Sequence, residues 1–130
     1  MKKAAVVTGA SSGIGLAISR MLVKNGYEVF GIARDFSKVH KEEQFNIIEC
    51  DITDTEKITQ ILKKIMSENE LYILINNAGV GYYGLHEELN AAKIKEIVRT
   101  NFEAPMILSQ LALRQLKKSK GFIINISSVT

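Results

Sequence analysis

Residues 8–15 read Thr8-Gly9-Ala10-Ser11-Ser12-Gly13-Ile14-Gly15. Three glycines within seven residues let a backbone bend tightly and approach a ligand closely. An apolar, β-branched run at residues 4–8 precedes them. Ile14, Ala17, Ile18, Met21 and Leu22 follow at helical spacing. A turn between a strand and a helix start gathers free N–H groups and the positive end of a helix dipole at one point. That arrangement suits a pyrophosphate. Taken alone, the same residues also permit a plain tight turn.

Other polar residues end apolar runs. Asp51 and Ile52 follow the run at residues 45–50. Asp51 is either a carboxylate flanking a helix start at Thr53 or an acceptor for a base amino group. Asn76 and Asn77 end the run at 71–75 and lead into Ala78-Gly79. They either tie neighbouring loops together or face a ligand. Ser127 and Ser128 end the run at 122–127, where alternation sends them to opposite faces. Ser128 either caps the following turn or carries chemistry. Asn101 shares a helical stripe with Ile94, Ile97, Val98 and Leu108, and an amide on an apolar face is costly unless hydrogen-bonded. Pro105, four residues on, has no N–H for the Asn101 carbonyl. This is either a water-holding kink or a satisfied core Asn beside an incidental proline.

Strands are expected at 4–8, 27–33, 45–50, 71–75 and 122–127. Helices are expected after Gly13, after a Thr53 capping box with Glu56, and over 87–118 with one interruption at Pro105. Asn25-Gly26 and Gly121 are the expected stops. Strict alternation means parallel pairing with right-handed crossovers, hence a doubly wound α/β sheet of Rossmann type. Ligands of such sheets sit beyond the carboxyl ends of the strands, where all these polar residues fall.

The 130 residues make one domain, 46% hydrophobic and 24% charged, with nine Gly, one Pro and one Cys. Disorder, collagen and coiled coil are excluded on that composition. One Cys excludes an internal disulfide. The net charge of +3 is mild, and its one dense cluster, Lys117, Lys118 and Lys120, falls at an expected helix C-terminus. No basic stripe is interleaved with aromatics, so nucleic acid is not an expected partner. No run approaches ~20 apolar residues, so no membrane is expected. His40 and His86 show no partner pattern for metal or triad. Tyr82 and Tyr83 either line a pocket or pack in a surface loop.

The Gly-x-x-x-Gly-x-Gly spacing of Gly9, Gly13 and Gly15 resembles that of the short-chain dehydrogenase/reductase family. Cys50-Asp51-Ile52-Thr53, Asn76-Asn77-Ala78-Gly79, Asn101 and Ile126-Ser127-Ser128 resemble its later motifs in order, over the whole chain. The resemblance implies an oxidoreductase moving hydride between a nicotinamide and a small carbonyl or secondary alcohol. It implies cofactor contacts at Gly9, Ser11, Ser12, Gly13, Ile14, Gly15, Asp51, Ile52, Asn76, Ala78 and Gly79, and catalytic roles for Asn101 and Ser128. In this fold an acid ending strand two suits an unphosphorylated ribose and an Arg suits a 2′-phosphate. Ala33-Arg34 stands there, so NADP is expected over NAD, with Asp35 as a confounder.

The family's proton donor is the Tyr of Tyr-x-x-x-Lys. Tyr27, Tyr72, Tyr82 and Tyr83 are followed four residues on by Gly31, Asn76, His86 and Glu87. The chain is therefore expected to be the N-terminal part of the family fold, truncated after the fifth strand, and inactive alone. Self-association through 87–118 and the fifth-strand edge, and a cytoplasmic location, are also expected. The alternative is a naturally short NADP-binding or regulatory module without turnover.

Overall fold

The computed structural model describes residues 1–39, 42–79 and 88–127. Its elements are β1 (Lys3–Thr8), α1 (Gly13–Lys24), β2 (Glu28–Ala33), β3 (Asn46–Glu49), α2 (Thr55–Glu68), β4 (Glu70–Asn76), α3 (Ala91–Val98), a π-turn (Arg99–Glu103), α4 (Ala104–Ser119) and β5 (Phe122–Asn125). The five strands pair in the order β3-β2-β1-β4-β5, every pair parallel. This is the Rossmann-like α/β sheet that the alternation predicts. Chain direction reverses its march between β1 and β4, which opens a crevice at their carboxyl ends.

Two apolar layers hold the sheet. Ala4, Val6, Ile32, Leu71 and Leu74 pack under Ile58, Leu62 and Ile65 of α2 and Leu108, Ala112 and Leu116 of α4. Ala5, Val7, Val29, Ile73 and Ile75 meet Leu22 of α1 with Phe36 and Phe45 on the other face. In β4 the alternation slips once: Ala4 pairs with Leu71 and Ala5 with Ile73, leaving Tyr72 bulged. Tyr72 and Ile73 consequently share the α1 face while Leu71 and Leu74 share the other. The extra ring is accommodated by Tyr27, which stacks on Tyr72 at 6.1 Å, and by Phe122, edge-on at 5.6 Å.

Three boundaries differ from expectation. The α2 cap is Asp54, whose carboxylate accepts from Lys57 N–H at 3.2 Å, and not Thr53. Thr53 is drawn away because its N–H and hydroxyl both donate to Asp51, at 2.9 and 2.8 Å. Helix α4 ends on Lys120 in the left-handed region (φ 55°), one residue before the expected Gly121. Gly121 is needed for space instead, since a Cβ there would lie 2.1 Å from the Tyr72 carbonyl oxygen.

The third difference is the long helix. Pro105 does not interrupt it but lies in the first turn of α4. The irregularity sits just before, where Ala104 N–H reaches back five residues to the Arg99 carbonyl. A five-residue spacing is the local answer to a proline that has no N–H to give the carbonyl four residues behind it. The expected buried stripe is also corrected: Leu108 is buried, but Ile94, Val98 and Asn101 are exposed, and α3 buries no residue. Phe102 and Met106 are 66% and 60% exposed.

Among the described residues no helix is long and apolar enough to cross a membrane. Leu62→Ala, at a fully buried position between α2 and the sheet, is expected to lower unfolding free energy by about 3 kcal/mol. Ile124→Ala, at a position 42% exposed, should cost well under half of that. Urea denaturation of both variants checks the contrast.

Candidate functional site

An open cleft of about 490 Å³ lies along the carboxyl ends of β1, β2, β3 and β4. Its floor is the turn from β1 to α1. Gly9 and Gly13 hold φ of +63° and +54°, which only glycine adopts without strain. Gly15 is needed for closeness: a Cβ there would lie 2.1 Å from the Gly9 carbonyl oxygen and 2.6 Å from Asn77 Nδ2. Its absence lets the first turn of α1 dock under the loop. Ser12 occupies the cap position of α1, yet its hydroxyl makes no capping bond, and no acid stands in the first turn. The helix therefore presents N–H groups and an uncompensated positive dipole end to the cleft.

Thr8 ties this floor to the opposite wall. Its buried hydroxyl accepts from the N–H groups of Asn77 and Ala78, both at 2.9 Å, and donates to the Ile75 carbonyl at 3.4 Å. Asn77 Nδ2 donates to the Gly9 carbonyl at 3.2 Å. Ala78 and Gly79 complete this wall with small residues. A Cβ on Gly79 would stand 3.2 Å from Asn101 Oδ1, so the glycine leaves room for the Asn101 amide beside it, and Asn101 itself is not among the residues lining the cleft.

The far wall comes from β2 and β3. Arg34 and Asp35 follow β2; Cys50, Asp51 and Ile52 follow β3. Asp35 is committed to its own loop, accepting from Ser37 N–H at 2.8 Å, and that bond lowers its pKa. The Thr53 N–H and hydroxyl, with the Arg34 and Arg99 guanidiniums, hold the Asp51 carboxyl below its ordinary range. Burial pushes the Cys50 thiol up, so this wall carries a neutral SH at pH 7. Arg34 Nη1 stands 3.9 Å from Glu96 Oε1 on α3.

Of the residues singled out from sequence, Gly9, Ser11, Ser12, Gly13, Ile14, Arg34, Asp51, Ile52, Ala78 and Gly79 line the cleft. Gly15 stands behind the floor as a spacer. Asn76, which the sequence left as a loop tie, a ligand contact or both, is not among the residues lining the cleft. Its Nδ2 donates to Asn125 Oδ1 at 2.9 Å and to Ser109 Oγ at 3.2 Å, so β4, β5 and α4 use it as a tie. Its buried Oδ1 has no partner among the described residues. Ser128, Tyr82, Tyr83, His40 and His86 lie outside the described residues. Ile32, Cys50 and Thr100 join the lining without having been singled out for it, and Asn77, left open between a tie and a ligand contact, lines it too. For Asn77 a signal existed, since it abuts a polar strand end. For Thr100 the one signal was Pro105 five residues on, which does not say how far the turn before it rotates the helix faces.

A glycine-floored cleft at the reversal point of a five-stranded parallel sheet defines a domain of Rossmann type. The family model for short chain dehydrogenase matches residues 3–130, and the chain belongs to that family. It is 35% identical to farnesol dehydrogenase of Aedes aegypti, with 98% of the chain aligned to 57% of that protein. It is also 35% identical to a 3-oxoacyl-[acyl-carrier-protein] reductase of Vibrio cholerae, with 98% aligned to 55%. A short-chain dehydrogenase structure from Streptomyces avermitilis superposes with a TM-score of 0.88 at 30% identity, over 98% of this chain and 50% of that one. A metagenomic short-chain oxidoreductase solved in complex with NADP superposes equally, with a TM-score of 0.88 at 32% identity, over 98% and 63%. The chain spans about half the length of the curated relatives it matches.

Thr8→Val leaves the part-buried N–H groups of Asn77 and Ala78 without their acceptor. Stability is expected to fall by about 2–4 kcal/mol, and Thr8→Ser should recover most of it, as read by urea unfolding. Because the Asp51 carboxyl is held low when folded, its contribution is complete above the ordinary carboxylate range and fades as pH falls through the lowered value. Asp51→Asn is therefore expected to flatten the acid limb of stability below about pH 4 and to leave the slope at pH 6–8 unchanged. Thermal melts across pH check it.

Proposed function

We propose that this chain forms the cofactor cradle of an NADP-dependent oxidoreductase acting on a small carbonyl or secondary alcohol. The observation that carries the reading is the open start of α1: Ser12 leaves the helix N–H groups uncapped, above a floor that tolerates no Cβ at Gly15. A pyrophosphate fits such a floor because N–H groups and dipole both favour negative charge. Family membership and a relative solved with NADP support it.

Each wall has a task in this reading. Asp51 and Ile52 receive the adenine, the carboxylate accepting from its amino group with the oxygen that Thr53 leaves open. Arg34 clamps a 2′-phosphate, and its pair with Glu96 is long and exposed enough to be exchanged. Ala78 and Gly79 leave space for the nicotinamide ribose. When bound, the cofactor supplies the hydride exchanged with substrate. Asn101, beside Gly79, orders a water for proton delivery, and Ser128 hydrogen-bonds the substrate oxygen. No Tyr in this chain has Lys four residues on. The chain alone therefore binds without turnover, because hydride transfer to a ketone needs a proton donor worth ~10²–10⁴-fold in rate. Self-association through the 87–118 region and the β5 edge, where Phe102, Met106 and Phe122 are exposed, belongs to the same reading.

The chain has no Trp, so the fluorescence of the reduced nicotinamide itself reports binding. NADPH is expected to bind more tightly than NADH, and Arg34→Ala to weaken NADPH about tenfold with little change for NADH. Tighter binding of NADH by the unaltered chain sinks the NADP assignment. Sedimentation velocity is expected to show dimers or larger species at micromolar concentration.

A further inference from the structure

In the reading above Glu96 is only the partner that Arg34 gives up, yet it is a charge held against a residue of the cleft wall. It lies on α3, about one turn before Thr100, a residue of the cleft wall. Its Oε1 is 3.9 Å from Arg34 Nη1, so the pair spans from the end of β2 to α3 across the outer end of the cleft. The side chains are 62% and 41% exposed, and solvent competes with such a pair. Arg99, three residues beyond Glu96, is a second cation at this end: both it and Arg34 act on the Asp51 carboxylate. Arg34 and Asp51 of the cleft wall are thus each accompanied by a further charge on the helical segment beside it, Glu96 and Arg99.

The four groups respond differently to two ligands. A phosphate monoester brings a charge of about −1.5 to −2 and three acceptor oxygens, which a guanidinium holds in bidentate fashion. To reach Arg34 it must take the place of the Glu96 carboxylate and then tolerate that charge nearby. A ribose diol is neutral and meets no such opposition. We propose that Glu96 is a specificity-determining residue: it holds Arg34 until a ribose 2′-phosphate displaces it, and so moderates the preference for 2′-phosphorylated dinucleotides. The inference rests on the dinucleotide reading and adds a residue that opposes it.

Calorimetric titration with adenosine 2′,5′-bisphosphate and with 5′-AMP isolates the 2′-phosphate from the rest of the cofactor. Glu96→Gln is expected to tighten the bisphosphate about fivefold and to leave 5′-AMP unchanged, since one like charge near the site is removed. The gain should shrink at about 0.5 M salt, where screening acts over a few ångströms. In an Arg34→Ala background the substitution should have much less effect. Unchanged or weaker bisphosphate binding, or an equal change for both ligands, overturns the proposal while the dinucleotide reading stands. A chain that binds neither ligand overturns both.

Discussion

Two backbone N–H groups on one strand end, those of Asn77 and Ala78, are satisfied by a single hydroxyl on another, that of Thr8. Parallel strands exchange bonds along their length, but where they stop their last donors have no partner in the ladder. Something must supply an acceptor for these part-buried donors. Thr8 does so, and in the same act sets how far apart the ends of β1 and β4 lie. The Gly9 turn begins at the next residue, so both sides of the cleft are referenced to one oxygen. The return bond from Asn77 Nδ2 to the Gly9 carbonyl closes the frame.

Close packing then dictates residue type around that frame. With Asn77 bridging to Gly9, the start of α1 has room beneath it only if position 15 lacks a side chain. Seating the helix there points its free N–H groups and dipole at the space between the strand ends, and no acid in the first turn neutralises them. The positive end of the cleft is reinforced by Arg34 and Arg99 and offset by Asp51 and Glu96. The positive character of the cleft is thus a property of backbone geometry first and of side-chain charge second.

Much of this was legible in the residues. Buried parallel strands read as continuous apolar runs because both faces are covered, and helices show the 3.6-residue period, so the order of elements follows from pattern. The glycine turn was legible for the same reason that it works: few other sequences permit positive φ at Gly9 and Gly13 with a close approach at Gly15. Thr53 and Asp54 are both good capping types, and the choice falls to Asp54 because Asp51 takes the Thr53 N–H and hydroxyl. For Asn76 the residues left both a tie and a ligand contact open, because strand ends are where ligands bind. Which way the side chain points, however, depends on partners 33 and 49 residues away, Ser109 and Asn125.

The sequence by itself determined the alternation of elements, the parallel sheet that follows from it, and the residues that must gather at its carboxyl edge. These are local matters of period, turn chemistry and chain connectivity. Tertiary structure alone decided the bulge at Tyr72, the inward tie of Asn76 and the approach of Glu96 to Arg34. Each depends on contacts between residues far apart in the chain or on how a helix rotates to meet the sheet. Neither spacing nor residue type encodes such contacts until the layers are packed.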